Sequence, residues 1–167
     1  MSHGDFHDYV EARWTNLCRF AVLLGSSQQD AEDLVQTSLA DCWASWDRIR
    51  KSRDVDAYVY RVVINRWRRT RRNGRKESES LRFIGEPATA AFTDSVDDAL
   101  AVRSALSRLP PDMRVILTLR RLADLSEAQT ASVLRIPIGT VKSRLARAQA
   151  LFLEDPAISS LRTQENR

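Results

Sequence analysis

Residues 125–148 read LSEAQTASVLRIPIGTVKSRLARA. Ser126 followed three residues later by Gln129 is a capping box, which starts a short helix reaching Leu134. Arg135, Ile136 and Pro137 make a turn, and a second helix runs from about Ile138 to Leu153. A short helix, a turn of three to four residues and a second helix make a helix-turn-helix. Helical spacing turns Val141, Leu145 and Ala148 inward. It leaves Thr140, Lys142, Ser143, Arg144 and Arg147 partly or wholly outward. Such a helix enters the DNA major groove with its N-terminal half toward base edges. There Arg and Lys donate to guanine, and Ser or Thr bonds bases or phosphates. An ordinary helical hairpin with a charged surface shares the spacing; the outward Lys-Ser-Arg cluster turns the reading toward DNA.

Working outward, the same unit begins near Ser95. Val96, Leu100, Arg103 and Leu106 lie along one helix. Leu109-Pro110-Pro111 stops it, and Pro111 suits the first turn of the next helix, along which Met113, Ile116, Leu119 and Leu122 recur. Upstream, Phe6, Val10, Trp14, Leu17, Ala21 and Leu24 describe one face of a helix, which Gly25 ends. A second helix starts near Ser27 with Asp30 as a loose cap partner. It turns Ala31, Val35, Leu39, Cys42 and Trp46 inward. A polar stretch, 47–53, precedes a third helix from about Asp54 to Arg72, with Val55, Val59, Val62, Val63 and Trp67 on its inner face. Between Asn73 and about Asp94 the helical period is lost among Gly, Pro, Ser and Thr. The expected architecture is all-α: two small helical domains joined by a flexible linker, the C-terminal one a helix-turn-helix. The divisions are 1–76, a linker 77–94, 95–155, and a tail 156–167 too short for a further folded domain. The extended linker would reach roughly 60 Å, about 18 base pairs of B-DNA.

The chain has 167 residues and a net charge of +4. That small net hides segregation: residues 51–76 carry 10 basic and 2 acidic groups, 77–98 carry 1 and 6, and 99–152 carry 9 and 3. Two basic blocks separated by an acidic one suggest two nucleic-acid contacts on one chain; two solvated basic faces would give the same count. In the first block Arg61, Asn65, Arg68, Arg72 and Arg75 step by three and four and form one stripe opposite the Val-Trp face. A basic stripe with an amide inside it suits a phosphate track with a base contact. Trp67, Tyr58 and Tyr60 either stack on unpaired bases or sit in the core, and the core is the stronger reading for Trp67. Arg66 falls on the apolar side of the wheel, where it snorkels or pairs with an acid. On the second helix Asp30, Glu32, Asp33 and Gln36 share a flank with Trp43. They form either a protein interface anchored by an aromatic or a simple complement to the positive helix N-terminus.

The longest apolar run, 20–24, is five residues, too short for a membrane span of about 20, and no secretory leader is expected from the N-terminal residues. Cys18 and Cys42 are expected to be buried and reduced. His3 and His7 lie near the N-terminus, away from the acidic cluster. No nucleophile–His–acid set, glycine-rich phosphate loop or zinc spacing is found, so no enzymatic activity, cofactor or metal is expected.

Together these blocks resemble a bacterial RNA polymerase sigma factor of the extracytoplasmic-function (ECF) group, over about residues 5–153. Asp30-Ala-Glu-Asp-Leu-Val-Gln36 with Trp43 is similar to the family's clamp-binding helix. Asp56-Ala-Tyr-Val-Tyr-Arg61 through Asn65 to the arginine run resembles its promoter-melting and upstream −10 segment. Leu109-Pro-Pro with residues 136–148 resembles its −35-reading domain. The resemblance implies that Asp30, Glu32, Asp33, Gln36 and Trp43 face core polymerase, and that the C-terminal domain docks on its flap. It implies that the loop from Arg50 to Val55, including Arg53 and Asp54, holds a flipped −10 base together with Asn65. Arg61, Arg68, Arg69 and Arg72 would track the backbone, and Thr140, Lys142, Ser143, Arg144 and Arg147 would read the −35 groove. Implied partners are core RNA polymerase, promoter DNA and an anti-sigma factor, in the cytoplasm, with no membrane insertion. One departure stands out: the turn after Leu134 often carries Gly in this family and here carries Arg135. A DNA-binding activator or repressor using only the helix-turn-helix would leave the acidic helix and the arginine stripe unexplained. A recombinase would need strand patterns and a catalytic cluster that the sequence lacks.

Overall fold

The computed structural model describes residues 3–77 and 96–165. Among these residues the chain is all helix: α1 (His3–Leu23), α2 (Gln28–Trp43), α3 (Trp46–Ile49), α4 (Val55–Glu77), α5 (Val96–Arg108), α6 (Pro111–Arg121), α7 (Glu127–Leu134), α8 (Ile138–Glu154) and α9 (Pro156–Glu165). Apart from Glu77, the expected linker lies outside the described residues.

The N-terminal unit is built by α1 to α4. Gly25 adopts a φ of +110°, and the Ser26 amide reaches back to the Ala21 carbonyl at 3.2 Å. That left-handed closure ends α1 and turns the chain into α2. Ser27 caps α2 by accepting from the Asp30 amide at 3.1 Å. Phe20, Val35, Val59, Val63 and Trp67 are buried together, so Trp67 is a core residue, with the Arg71 guanidinium 4.9 Å from its ring centroid. Cys18 and Cys42 are free thiols in this core. Burial pushes both up to about 11, Cys18 with help from Glu32 and Cys42 from Asp41. Arg66 pairs with Asp41.

Three boundaries differ from the sequence reading; one is the end of α4, which runs on to Glu77 through residues 73–76, where the helical period was expected to be lost. The polar stretch 47–53 is not all loop, because Trp46 and Ile49 bury themselves and pull residues 46–49 into the short helix α3. Trp46 packs edge-on to Phe6 at 4.9 Å and against Tyr9 at 5.2 Å. Asp54 lies just before α4 and accepts from the Ala57 amide at 2.9 Å, as a cap does. The stripe position Arg75 has a side chain outside the described residues.

The C-terminal unit comprises α5 to α9. Leu106, Leu109, Ile116, Leu117, Ala131, Val141, Leu145 and Ala148 form its core. Pro110 stands at the N-terminal boundary of α6 without a side-chain cap, and Pro111 opens the helix. The Ser126–Gln129 capping box is present in both directions. Arg135 ends α7 at φ 55° and ψ 47°, the left-handed conformation that glycine usually supplies. The tail is not a loose end. It forms α9, which packs on α5 and α8 with Ile158 buried.

Asp155 joins α9 to the rest. Its carboxylate accepts two bonds of 2.7 Å from Arg108 and one of 3.0 Å from the Ala157 amide. This charge-assisted fork, then the Ala157 amide and the Arg108 charge, hold the Asp155 carboxyl below its ordinary range against the opposing effect of desolvation. The N-terminal unit has a comparable clasp. Tyr9 donates to Asp56 at 2.9 Å and Arg13 pairs with the same carboxylate at 2.7 Å, tying α1 to the first turn of α4.

The units are not separate. Six consecutive residues of α6, 114–119, are buried. Ile116 and Leu117 face the C-terminal core, while Val115 and Leu119 belong to the same buried cluster as Phe20, Val59 and Trp67. Leu125 and Val133 join that first cluster, and Leu23 of α1 packs against the second.

Two outcomes follow. Arg135→Gly relieves the left-handed strain at the end of α7. It should raise stability by up to about 1 kcal/mol, read as a higher urea midpoint; an unchanged or lower midpoint counts against it. A lowered carboxyl pKa contributes stability above the ordinary Asp value, about 3.9, and loses it as pH falls through the folded value. Protection of the Ile158 and Ser159 amides, taken relative to the unstructured exchange rate at each pH, should therefore fall only below about pH 4, and Asp155→Asn should remove that acid limb.

Candidate nucleic-acid interface

The recognition helix α8 is positioned by Val141, Leu145 and Ala148, all buried. Lys142, Ser143 and Arg147 are exposed, and Thr140 and Arg144 half-exposed, as the spacing predicts. Ser143 donates to the Thr140 carbonyl at 3.2 Å. Lys142 lies 3.7 Å from Glu127, and Arg144 lies 3.6 Å from Asp112.

The α4 face is brought together as one stripe. Asn65, Arg69 and Arg72 are exposed along it, and Arg53 is exposed just ahead of the helix. The other three positions expected to meet the −10 element are already engaged. Asp54 accepts from the Gln129 side chain. Arg61 donates to the Ser132 carbonyl at 2.8 Å and to its hydroxyl at 3.2 Å. Arg68 pairs with Asp112 at 3.3 Å. Every one of these partners belongs to the C-terminal unit. Asp112 thus touches one arginine of each set expected to meet DNA.

On α2, Asp30, Glu32, Asp33 and Gln36 are exposed. Asp30 also accepts from the Ser27 hydroxyl at 2.8 Å, and Glu32 from Gln28 at 2.7 Å, so part of this charge serves the helix start. Trp43 is half-buried, its ring 4.9 Å from that of Phe6. It supports the patch from the edge rather than projecting from it.

The seam holds a buried cation. Arg114 donates to the Leu24 carbonyl at the end of α1 at 2.8 Å, and to the Ser107 and Leu109 carbonyls at 2.8 and 3.2 Å. Among the described residues its guanidinium bonds carbonyls and forms no ion pair. Burial, followed by the charge of Arg71, lowers its pKa. A Cβ on Gly25 would come within 3.0 Å of this guanidinium. Sequence reading missed Asp112, Arg114, Gln129 and Ser132. A signal was there: residues 114–119 offer apolar side chains to two sides of α6, more than one small core needs.

No group of His, Cys, Asp and Glu able to hold a metal occurs among the described residues, and no described helix is long and apolar enough to cross a membrane.

Comparison with known proteins matches this geometry. Residues 10–77 match the sigma-70 region 2 family and residues 99–150 the sigma-70 region 4 family. The chain is 35% identical, over 93% of its length and 88% of the relative's, to an RNA polymerase sigma-E factor of Streptomyces avermitilis. It is 31% identical to the ECF RNA polymerase sigma factor SigM of Mycobacterium tuberculosis, over 80% of this chain and 68% of that one. Among solved structures it resembles the sigma factor RpoE in complex with the anti-sigma factor NepR from Bartonella quintana. That likeness has a TM-score of 0.74 and 29% identity, covering 90% of this chain and 95% of the other. The chain belongs to the sigma-70 family, within its extracytoplasmic-function group. It is a promoter-recognising factor for transcription initiation by RNA polymerase, in a family of initiation factors rather than enzymes.

Proposed function

We propose that the two units divide promoter recognition between them, with 1–76 and 95–155 as the working domains. The C-terminal unit reads the −35 duplex through Thr140, Lys142, Ser143, Arg144 and Arg147. The N-terminal unit grips and helps melt the −10 element through Arg53, Asp54, Arg61, Asn65, Arg68, Arg69 and Arg72. Asp30, Glu32, Asp33 and Gln36, backed by Trp43, dock on the polymerase clamp, and the C-terminal unit docks on the flap. The observation that carries this reading is the pairing on one chain of an exposed arginine–asparagine stripe on α4 with an outward Lys-Ser-Arg cluster on α8. A regulator that only bound duplex would need the second alone.

The chemistry of melting fits these residues. Opening a base pair costs stacking energy, which is offset when a pocket holds the extruded base and cations hold the strand. Arg61, Arg68, Arg69 and Arg72 supply fixed positive charge along one face, and the Asn65 amide supplies both a donor and an acceptor. The chain itself catalyses nothing; it positions the polymerase. It works in the cytoplasm with the polymerase. An anti-sigma factor is a further partner, since the solved neighbour is bound to one. An apolar cavity of about 470 Å³, lined by residues that include Leu23, Leu106, Leu117, Phe152 and Leu153, suits the apolar face of a partner helix.

Run-off transcription with core polymerase tests the whole reading: defined start sites support it, and their absence overturns it. Arg147→Ala should cost roughly 1–3 kcal/mol at one −35 position; an equal loss on every sequence assigns Arg147 to phosphate instead. Asp33→Arg sets like charge against a basic partner. It should weaken co-elution with core polymerase roughly tenfold or more while leaving the circular-dichroism melting curve unchanged. Unchanged co-elution rules out the clamp assignment.

A further inference from the structure

We propose that the chain carries a binding site for a small phosphorylated metabolite, a nucleoside or sugar phosphate. It lies in the cavity where α1, α2, α4 and α6 meet: Arg66, Arg71 and Arg114 take the phosphate, and Asp30 and Asp33 take the hydroxyls. This goes beyond promoter recognition, since Arg66, Arg71 and Arg114 belong to neither set expected to meet DNA.

The cavity has a volume of about 480 Å³, within the range of small-molecule sites, roughly 300–1,000 Å³. Arg66 and Arg71 line it from α4, Arg114 from α6, and Asp30 and Asp33 from α2. Gly25 lines it from the end of α1. A Cβ at that position would come within 3.0 Å of the Arg114 Nη1, so the missing side chain leaves room at the guanidinium.

The chemistry of these walls selects the ligand. Arg114 is only 9% exposed, and a guanidinium carries five N–H donors, of which carbonyls take up three. Its Nε is buried without a hydrogen-bond partner among the described residues, and so is the Nε of Arg66, although Arg66 also pairs with Asp41. Unmet buried donors, and a buried charge balanced only by dipoles, are both costly. The neighbouring charge adds to that cost, because Arg71 joins burial in lowering the Arg114 pKa. A phosphate relieves both, since its oxygens take forked, charge-assisted bonds from guanidinium groups. Asp30 and Asp33 set the same cavity against a bare anion. Their oxygens only accept, and the hydroxyls of a sugar supply the donors they need. A ligand that is anionic at one end and rich in hydroxyls at the other satisfies both sets of side chains; inorganic phosphate satisfies one.

Isothermal titration calorimetry of the full chain tests this, with ATP, ribose 5-phosphate, inorganic phosphate and adenosine as probes in metal-free buffer. ATP or ribose 5-phosphate should bind at one site and more tightly than inorganic phosphate, while adenosine gives no heat over the same range. The tighter of the first two tells a nucleotide from a sugar phosphate. Arg71→Gln and Arg114→Gln should each weaken that binding roughly tenfold or more. Arg72→Gln removes the same charge from the exposed stripe one residue further on and should leave it unchanged. Asp30→Asn should weaken the hydroxyl-bearing probe without weakening inorganic phosphate. Arg114 sits in the seam, so where circular dichroism shows Arg114→Gln unfolded, Arg71→Gln decides alone. Three results overturn the proposal. In one, no phosphate-bearing probe binds more tightly than adenosine. In another, inorganic phosphate binds as tightly as ATP and ribose 5-phosphate, which leaves Asp30 and Asp33 without a role. In the last, Arg72→Gln costs as much as Arg71→Gln, which places the anion on the DNA stripe instead of in the cavity.

Discussion

The arrangement depends on α6 being buried on two sides. A surface helix keeps one apolar stripe and one polar face; α6 has six consecutive residues out of water. One side completes the core of the C-terminal unit and the other completes that of the N-terminal unit. Full burial of a Val or Leu is worth roughly 1.5–3 kcal/mol, whereas an exposed ion pair contributes roughly 0–1 kcal/mol. Val115 and Leu119 therefore outweigh Arg68–Asp112 in holding the units together. The ion pair decides instead which faces meet.

The charge map takes its meaning from that contact. The acidic residues of α2 stay exposed, which suits a protein partner. The basic residues of α4 and α8 lie close enough to share Asp112. A chain with two cationic faces would ordinarily keep them apart by repulsion. One carboxylate at the first turn of α6, where the helix dipole also favours negative charge, reconciles them.

Much of this was legible in the sequence, and what was not has physical reasons. The helical periods located the main elements of both units. The Ser126–Gln129 box, the Pro110-Pro111 stop and the Gly25 end were read correctly because each encodes a local backbone requirement. The outward positions on α8 followed from spacing alone. Residues 46–49 were misjudged because a four-residue helix carries no period; only the burial of Trp46 and Ile49 reveals it. The tail formed α9 because of Asp155, whose partner Arg108 lies 47 positions away, beyond the reach of any local pattern. The seam was hidden for the same reason. Arg61 and Ser132 are 71 residues apart, and Asp54 and Gln129 are 75 apart. The unusual Arg135 was visible, and the structure shows its consequence: the backbone takes the glycine-like conformation regardless, with the turn held by the Ile136 amide on the Ala131 carbonyl at 3.2 Å.

Arg114 shows why closure can be firm and still reversible. A buried ion pair, when broken, leaves two charges without partners and costs several kcal/mol. Among the described residues Arg114 forms no ion pair at the seam. Across it, the guanidinium is neutralised by a carbonyl dipole at the negative end of α1, and within its own unit by the Ser107 and Leu109 carbonyls. If the units part, Arg114 keeps the latter two bonds and gains water, and the Leu24 carbonyl is hydrated in turn. No orphan charge remains on either side. The cost of opening is then chiefly the apolar surface of α6 and α7, which a partner with a complementary apolar face can cover again. A seam made this way resists thermal opening yet gives way to a binding partner, as a factor that must alternate between free and polymerase-bound states requires.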